Sequence, residues 1–287
     1  MYRILEKRTL APRVNEYVIE AKEVAQHARP GQFIILRVDE KGERIPFTIC
    51  DYDKSNGTVT ILVQEVGYST AALSKVPKGG YIADFVGPLG KPTDLSGYNK
   101  IVLVGGGIGS AVIYPQAKKL FAAGITCDVI VGARTRELIM YEEQFRENCR
   151  ELILTTDDGS YGRHGFVTDA LKEGLDAGKY DLVMAVGPLP MMKAVCALTK
   201  PYGIKTVVSM NPIMVDGTGM CGCCRINVGG KTLYACVDGP EFDGHLVDFD
   251  QAMKRSQMYK TEEGRALLKL QEGDTHHGGC GQCGGDK

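Results

Sequence analysis

The 287-residue sequence has no excess of either charge: 34 Lys and Arg stand against 35 Asp and Glu, for a net charge of −1. It therefore has no basic field to draw in nucleic acid or an anionic lipid surface. It has no apolar run approaching the roughly 18 residues that a membrane-spanning helix needs. The opening Met1-Tyr-Arg-Ile-Leu-Glu-Lys7 lacks the apolar stretch of a secretory signal, and no internal repeat is visible. The expectation is a cytoplasmic protein with neither nucleic acid nor membrane as a partner. Thiols stay reduced in that compartment, so the ten cysteines favour metal binding over disulfides. Hydrophobic and charged fractions of 44 % and 24 % are those of an ordinary globular chain, and the length suggests about two domains. Glycine is abundant: 36 residues, against a usual share of roughly 7 %. Tight turns and close backbone–ligand approaches use glycine in this way.

Residues 1–97 read as an antiparallel β-barrel. Tyr17–Ala21, Gln32–Val38, Pro46–Cys50 and Thr58–Gln64 are strand-length and rich in β-branched residues, with Asn56-Gly57 as a turn signal. Ser69–Lys75 reads as one short helix. From 98 to 209 the pattern changes to a parallel, doubly wound α/β domain. Apolar strands at Ile101–Val104, Cys127–Val131, Leu152–Thr156, Asp181–Val186 and Thr206–Met210 alternate with helices at 110–123, 141–148, 167–178 and 191–199. Residues 210–250 form a cysteine-rich segment containing a hairpin around Gly229-Gly230. Residues 251–287 form a polar helix, read from about Asp250 to Leu270, and a Gly- and His-rich tail. Cys50, Cys127, Cys149 and Cys196 stand singly in apolar or helical contexts and read as small hydrophobes.

Two motifs carry chemistry. Asp216-Gly-Thr-Gly-Met-Cys221-Gly-Cys223-Cys224, followed by Cys236, is one residue away from the C-x4-C-x2-C…C spacing of a plant-type iron–sulfur site. Three thiolates plus the Asp216 carboxylate can hold an iron pair, with Cys223 as the other candidate for the fourth donor. A zinc site of Cys221, Cys223, Cys224 and Cys236 is the colourless alternative. The second motif, Gly105-Gly106-Gly107-Ile108-Gly109, joins the first parallel strand to its helix and suits a pyrophosphate at a helix N-terminus. It is not a full dinucleotide fingerprint. Ser110 takes the third glycine's place, and the next strand ends in Gly132-Ala133-Arg134 with no ribose-binding carboxylate. Arg134, Arg136 and Arg163 are each candidates to meet a 2′-phosphate. Arg44, with Thr48 beside it, offers a donor fork to a phosphate, and Gly67, Ser69 and Thr70 open a helix with hydroxyl and N–H groups. Asp157-Asp158-Gly159-Ser160 follows a strand's carboxyl end, where ligands of open α/β sheets sit. Cys280-Gly-Gln-Cys283, after His276-His277, is a second metal-site candidate that reads more simply as a free tail.

Together these residues resemble the ferredoxin–NADP reductase superfamily. Its R-x-[YP]-x-[ST] flavin motif is matched by Arg44, Pro46 and Thr48. Pro30-Gly-Gln-Phe33, Gly87-Pro-Leu-Gly90, the Gly105–Gly109 loop and Gly187-Pro188-Leu-Pro-Met191-Met192 also match. The resemblance covers residues 1 to about 250. Within the superfamily the cysteine segment resembles the electron-transfer subunit of type B dihydroorotate dehydrogenase. It resembles more closely the small subunit of NADH-dependent ferredoxin:NADP oxidoreductase, also called sulfide dehydrogenase. That branch implies FAD held by Arg44, Pro46, Phe47, Thr48, Gly67, Ser69 and Thr70. It implies NAD(H) held by Gly105–Gly109, Arg134, Asp157, Asp158, Gly187, Pro188 and Met191. It implies a 2Fe-2S cluster on Asp216, Cys221, Cys224 and Cys236. No side-chain acid or base is expected, since the cofactors carry the chemistry. A larger FAD- and 4Fe-4S-bearing subunit is the implied heterodimer partner, in electron bifurcation. The rival readings are a dihydroorotate dehydrogenase subunit, a sulfide- or polysulfide-active subunit, and a non-catalytic redox sensor.

Overall fold

In the computed structural model, which describes residues 1–272, the first eight strands are β1 (Tyr2–Ala11), β2 (Val14–Glu20), β3 (Phe33–Arg37), β4 (Ile45–Thr48), β5 (Asp51–Asp53), β6 (Thr58–Gln64), β7 (Tyr81–Ile82) and β8 (Asp84–Leu89). They form two antiparallel sheets, β5-β6-β2-β1-β7 and β4-β3-β8. Two stretches of chain belong to both. Between β4 and β5, Ile49 donates to Gln32 O at 3.0 Å in one sheet and Cys50 to Thr60 O at 2.9 Å in the other. Between β7 and β8, Ala83 donates to Arg37 O at 3.1 Å. The sheets thereby close into a small barrel. Strand β3 explains why Phe33-Ile-Ile-Leu36 is an unbroken apolar run: Ile34 and Leu36 fill the barrel, while Phe33 and Ile35 join the core outside it. Helix α2 (Tyr68–Ser74) matches the expected short helix. A second one, α1 (Lys22–His27), is not foreseen, because its cap position is Ala21 and supplies no side-chain acceptor.

A third sheet contains β9 (Ile101–Gly106), β10 (Asp128–Ala133), β11 (Glu151–Thr156), β12 (Arg163–His164), β13 (Leu182–Val186) and β14 (Lys205–Ser209). They are parallel, in the order β12-β11-β10-β9-β13-β14. Helices α3 (Gly109–Ala122), α4 (Glu142–Asn148), α5 (Val167–Asp176) and α6 (Leu189–Thr199) make the connections. Strand order reverses between β9 and β13, and such a switch point opens a crevice at the strands' carboxyl ends.

The cysteine-rich segment contributes the hairpin β15 (Arg225–Val228) and β16 (Lys231–Tyr234), and then β17 (Glu241–Asp243). Read from the sequence, the sheet ends at the Thr206–Met210 strand, but β17 adds to β14 antiparallel. The polar helix read from about 250 to 270 is two helices, α7 (Phe249–Arg255) and α8 (Lys260–Glu272). Phe249 anchors α7 in the α/β core, whereas α8 lies against α2 of the barrel. One straight helix does not serve both surfaces. Cys280 and Cys283 lie outside the described residues.

The lone cysteines pack as small hydrophobes. Cys50, Cys127 and Cys196 are buried, and burial pushes each thiol up to about 12. Half-buried Cys149 is pushed to about 11 for the same reason.

Candidate cofactor sites

A cavity of about 950 Å³ opens between the barrel and the carboxyl ends of β9, β10, β11 and β13. Its volume lies in the range of small-molecule and cofactor sites. Gly106, Gly107, Ile108, Gly109, Arg134, Asp157, Gly187, Pro188 and Met191 line it. The glycines of the loop have different tasks. A Cβ on Gly109 would stand 2.2 Å from Val186 O, and one on Gly106 2.3 Å from Met191 Sδ. Those two let α3 and the Gly187–Met191 turn close on β9. Gly105, inside β9, packs in the same way against Ser110. At Gly107, φ is +55° and no atom stands within 4 Å of a Cβ position: this is the open side of the loop. The cradle is thus the start of a 14-residue helix with no side-chain cap, which suits a phosphate.

The three candidate arginines are separated. Arg134 lines the cavity. Arg136 lies over the Tyr161 ring at 4.9 Å, and Arg163 is forked onto Glu173. The two aspartates differ as well. Asp157 lines the cavity, whereas Asp158 turns onto its own loop and accepts from the Ser160 N–H and hydroxyl at 3.0 and 2.7 Å. Those bonds, the hydroxyl's first, hold the Asp158 carboxyl below its usual range. Thr155, at the end of β11, is a lining residue not foreseen from the sequence. Its buried hydroxyl has no hydrogen-bond partner among the described residues. An orphaned polar atom beside an open glycine cradle fits a polar dinucleotide.

On the barrel side Pro46, Phe47 and Thr48 of β4 line the same cavity, but Arg44, Gly67, Ser69 and Thr70 do not. The Thr70 hydroxyl accepts from the Val66 and Gly67 N–H groups at 2.9 and 3.0 Å. Ser69 donates to Glu43 Oε2 at 2.6 Å. Arg44 donates from Nε to Val215 O at 3.2 Å and from Nη2 to Asp216 O at 3.3 Å. Its fork therefore joins the flavin-motif strand to the cysteine-rich loop.

That loop is tied closely to the barrel. A Cβ on Gly217, where φ is +83°, would stand 2.9 Å from Ile35 Cγ1 and 3.0 Å from Leu89 Cδ1. The buried thiols of Cys224 and Cys236 are 3.2 Å apart. Cys221 is exposed, and backbone N–H groups of Cys223 and then Asp216 hold its thiol below the ordinary range. The Asp216 carboxylate accepts from the Thr218 hydroxyl, the Thr218 N–H at 2.9 Å and the Met220 N–H at 3.4 Å. The Thr218 contacts keep it ionised below its usual range. Among the described residues no three such donors converge on one point. The donors stand instead as two pairs, Cys224 with Cys236 and Cys221 beside Asp216. A binuclear core takes two protein ligands on each iron, so these two pairs fit it. The Cys223 carbonyl accepts from Arg255 Nη2 at 3.1 Å.

Two family models match the chain. They are the "Oxidoreductase NAD-binding domain" over residues 103–197 and the "Iron-sulfur cluster binding domain of dihydroorotate dehydrogenase B" over residues 211–248. A relative from Thermotoga maritima, described as a dihydroorotate dehydrogenase B (NAD(+)) electron transfer subunit homolog, is 44 % identical over 91 % of this chain and 92 % of its own. The chain belongs to this family of electron-transfer subunits. An uncharacterised protein in the adh 3′ region of Clostridium beijerinckii is 52 % identical over 100 % of both chains. A chain of the NADH-dependent reduced ferredoxin-NADP oxidoreductase, solved for insight into flavin-based electron bifurcation, matches with a TM-score of 0.90. It is 43 % identical over 94 % of this chain and 98 % of that one.

The electron-transfer subunit thus has the ferredoxin-reductase-like fold expected of it, with a C-terminal iron–sulfur domain. Its cofactors are FAD, NAD(H) and a 2Fe-2S cluster. No helix among the described residues is long and apolar enough to cross a membrane.

Proposed function

We propose that this chain is the NAD(H)-side small subunit of a cytoplasmic NADH-dependent ferredoxin:NADP oxidoreductase, and that it passes single electrons to a larger FAD/4Fe-4S subunit in electron bifurcation. One observation carries the reading. Gly106–Gly109 of the nucleotide loop, Pro46–Thr48 of the flavin strand, and Met210, Asn211, Pro212 and Met214 of the cysteine-rich segment all face one cavity. When bound, the nicotinamide supplies a hydride, FAD takes two electrons and releases them singly, and the cluster carries them one at a time.

The residues bind and position. Gly105, Gly106 and Gly109 let the strand, helix and turn close together, and Gly107 with Ile108 presents the start of α3 to the pyrophosphate. Gly187, Pro188, Met191, Arg134 and Asp157 would hold the dinucleotide from the cavity wall, with Asp158 shaping the loop beside them through Ser160. Pro46, Phe47 and Thr48 would hold the flavin from the cavity side, and Arg44, Gly67, Ser69 and Thr70, outside the cavity lining, would supply donors to its phosphates. Asp216, Cys221, Cys224 and Cys236 are the cluster ligands. The corresponding units are 1–97, 98–209, 210–250 and 251–287.

NAD(H) is the assigned dinucleotide. Titrating the purified chain with NADH and NADPH tests it: NADH binds more tightly, and a tenfold preference for NADPH, about 1.4 kcal/mol, overturns the assignment. The family model and the T. maritima relative's description favour a second reading, service to a dihydroorotate-oxidising subunit. Sequencing the partner that co-purifies with the native chain decides between the two.

A further inference from the structure

Three arginines from three different parts of the fold converge on the backbone of the cluster loop. Arg44, just before β4, donates to Val215 O and Asp216 O at 3.2 and 3.3 Å. Arg225, the first residue of β15, donates from Nη1 to Gly222 O at 3.1 Å. Arg255, the last residue of α7, donates from Nη2 to Cys223 O at 3.1 Å. None of the three forms an ion pair among the described residues, although eleven such pairs occur there. Among the described residues no carboxylate contacts any of the three, although the Asp216 carboxylate lies close enough to Arg44 to be stabilised by it. Among the loop's own acids, Asp216 is a proposed ligand, and Asp238 is turned to the Tyr234 N–H at 2.7 Å.

The geometry points to Arg44, Arg225 and Arg255 as a counter-charge ring that sets the reduction potential of the cluster. This rests on the reading that residues 210–250 hold a 2Fe-2S centre. Each electron the core accepts makes it one unit more negative, with no proton required. Nearby fixed cations stabilise the reduced form more than the oxidised one, and net charge and hydrogen bonding are among the levers that set such potentials. A guanidinium suits the task because its pKa keeps it charged throughout the physiological range and its donors fix it in place. Arg44 spends two of its five N–H donors on the loop, which leaves three for a flavin phosphate. It is a positioning residue for both cofactors. Solvent screens exposed charges more than half-buried ones. Arg255 is half-buried and Arg225 exposed, so Arg255 carries the larger effect.

The test is the cluster's midpoint potential, read by EPR during an anaerobic redox titration of the full-length holoprotein, alongside iron and acid-labile sulfide content. Arg255→Gln is expected to shift the one-electron equilibrium at least tenfold toward the oxidised form, about 59 mV. Arg225→Gln shifts it less, by an amount that shrinks as salt is raised. Arg255→Lys, which keeps the charge, stays within threefold of the wild type. An Arg255→Gln protein with a full cluster and an unmoved potential overturns the inference, as does equal displacement by Lys and Gln. Absence of iron from the wild-type protein overturns the underlying reading instead.

Discussion

At the scale of single residues, the fourth cluster ligand and one buried carboxyl give the sharpest outcomes. Asp216 occupies the spaced ligand position and its carboxylate is held ionised by Thr218, whereas Cys223 adjoins the proposed ligand Cys224 in sequence. Asp216→Ala should therefore lower bound iron and labile sulfide severalfold, and Cys223→Ala should leave both near the wild-type level. The reverse pattern reassigns the ligand. Glu241 in β17 has its carboxyl enclosed between Gly31 and Thr93, whose hydroxyl bonds it at 2.5 Å. Burial raises its pKa to about 7, against the opposing effects of Thr93 and Lys119. A carboxyl raised in the folded state favours folding most below its unfolded pKa, near 4.3. That contribution is lost as pH climbs through about 7. Glu241→Gln should remove this dependence and gain roughly 1–3 kcal/mol over the wild type at pH 8. The check is urea unfolding of both proteins at pH 5 and pH 8; equal differences at the two pH values contradict it.

At the scale of elements, the β9–α3 turn is the joint on which the proposed nucleotide site depends. The 2.2 Å approach of a Gly109 Cβ to Val186 O sets backbone against backbone. Gly109→Ala should cost about 1–3 kcal/mol and weaken NADH binding at least tenfold by calorimetry. Gly107→Ala meets open space and pays only for its positive φ, about 1–2 kcal/mol. Much of this architecture was legible in the sequence. Runs such as Ile101–Val104 are apolar because both faces of a parallel sheet are covered, and glycine clusters mark the strand-to-helix turns. Elements whose pattern is set by their neighbours were not legible. Strand β1 carries two register shifts, at Ile4/Glu6 and Thr9/Ala11, which break the alternation that identifies a strand. Strand β17 has three residues and exists because β14 offers it an edge. Arg255 has no local motif, and its role follows only from where α7 docks. For Arg44 the strand was legible, but the loop that receives its donors lies 171 residues away.

At the scale of the whole molecule, the three parts are locked at their meeting point. Thr93 of the barrel side contacts Glu241 of the cysteine-rich segment and Gln116 of α3. Lys91 donates to Gly239 O at 2.7 Å. Phe33 and Ile35 share one core with Met210, Met214, Cys224 and Cys236. One buried core thus joins the barrel, the α/β sheet and the cysteine-rich segment, as the proposed relay from nicotinamide through flavin to cluster requires. The account therefore stands on electrons passing from NADH to an iron–sulfur centre within this one chain. The direct measurement is anaerobic titration of the purified holoprotein with NADH, following flavin absorbance and the EPR signal of the reduced cluster together. The expected result is loss of the oxidised flavin bands accompanied by a 2Fe-2S signal that rises toward one spin per chain. Bleached flavin beside a cluster that dithionite reduces but NADH leaves untouched would contradict it, as would the absence of iron and labile sulfide.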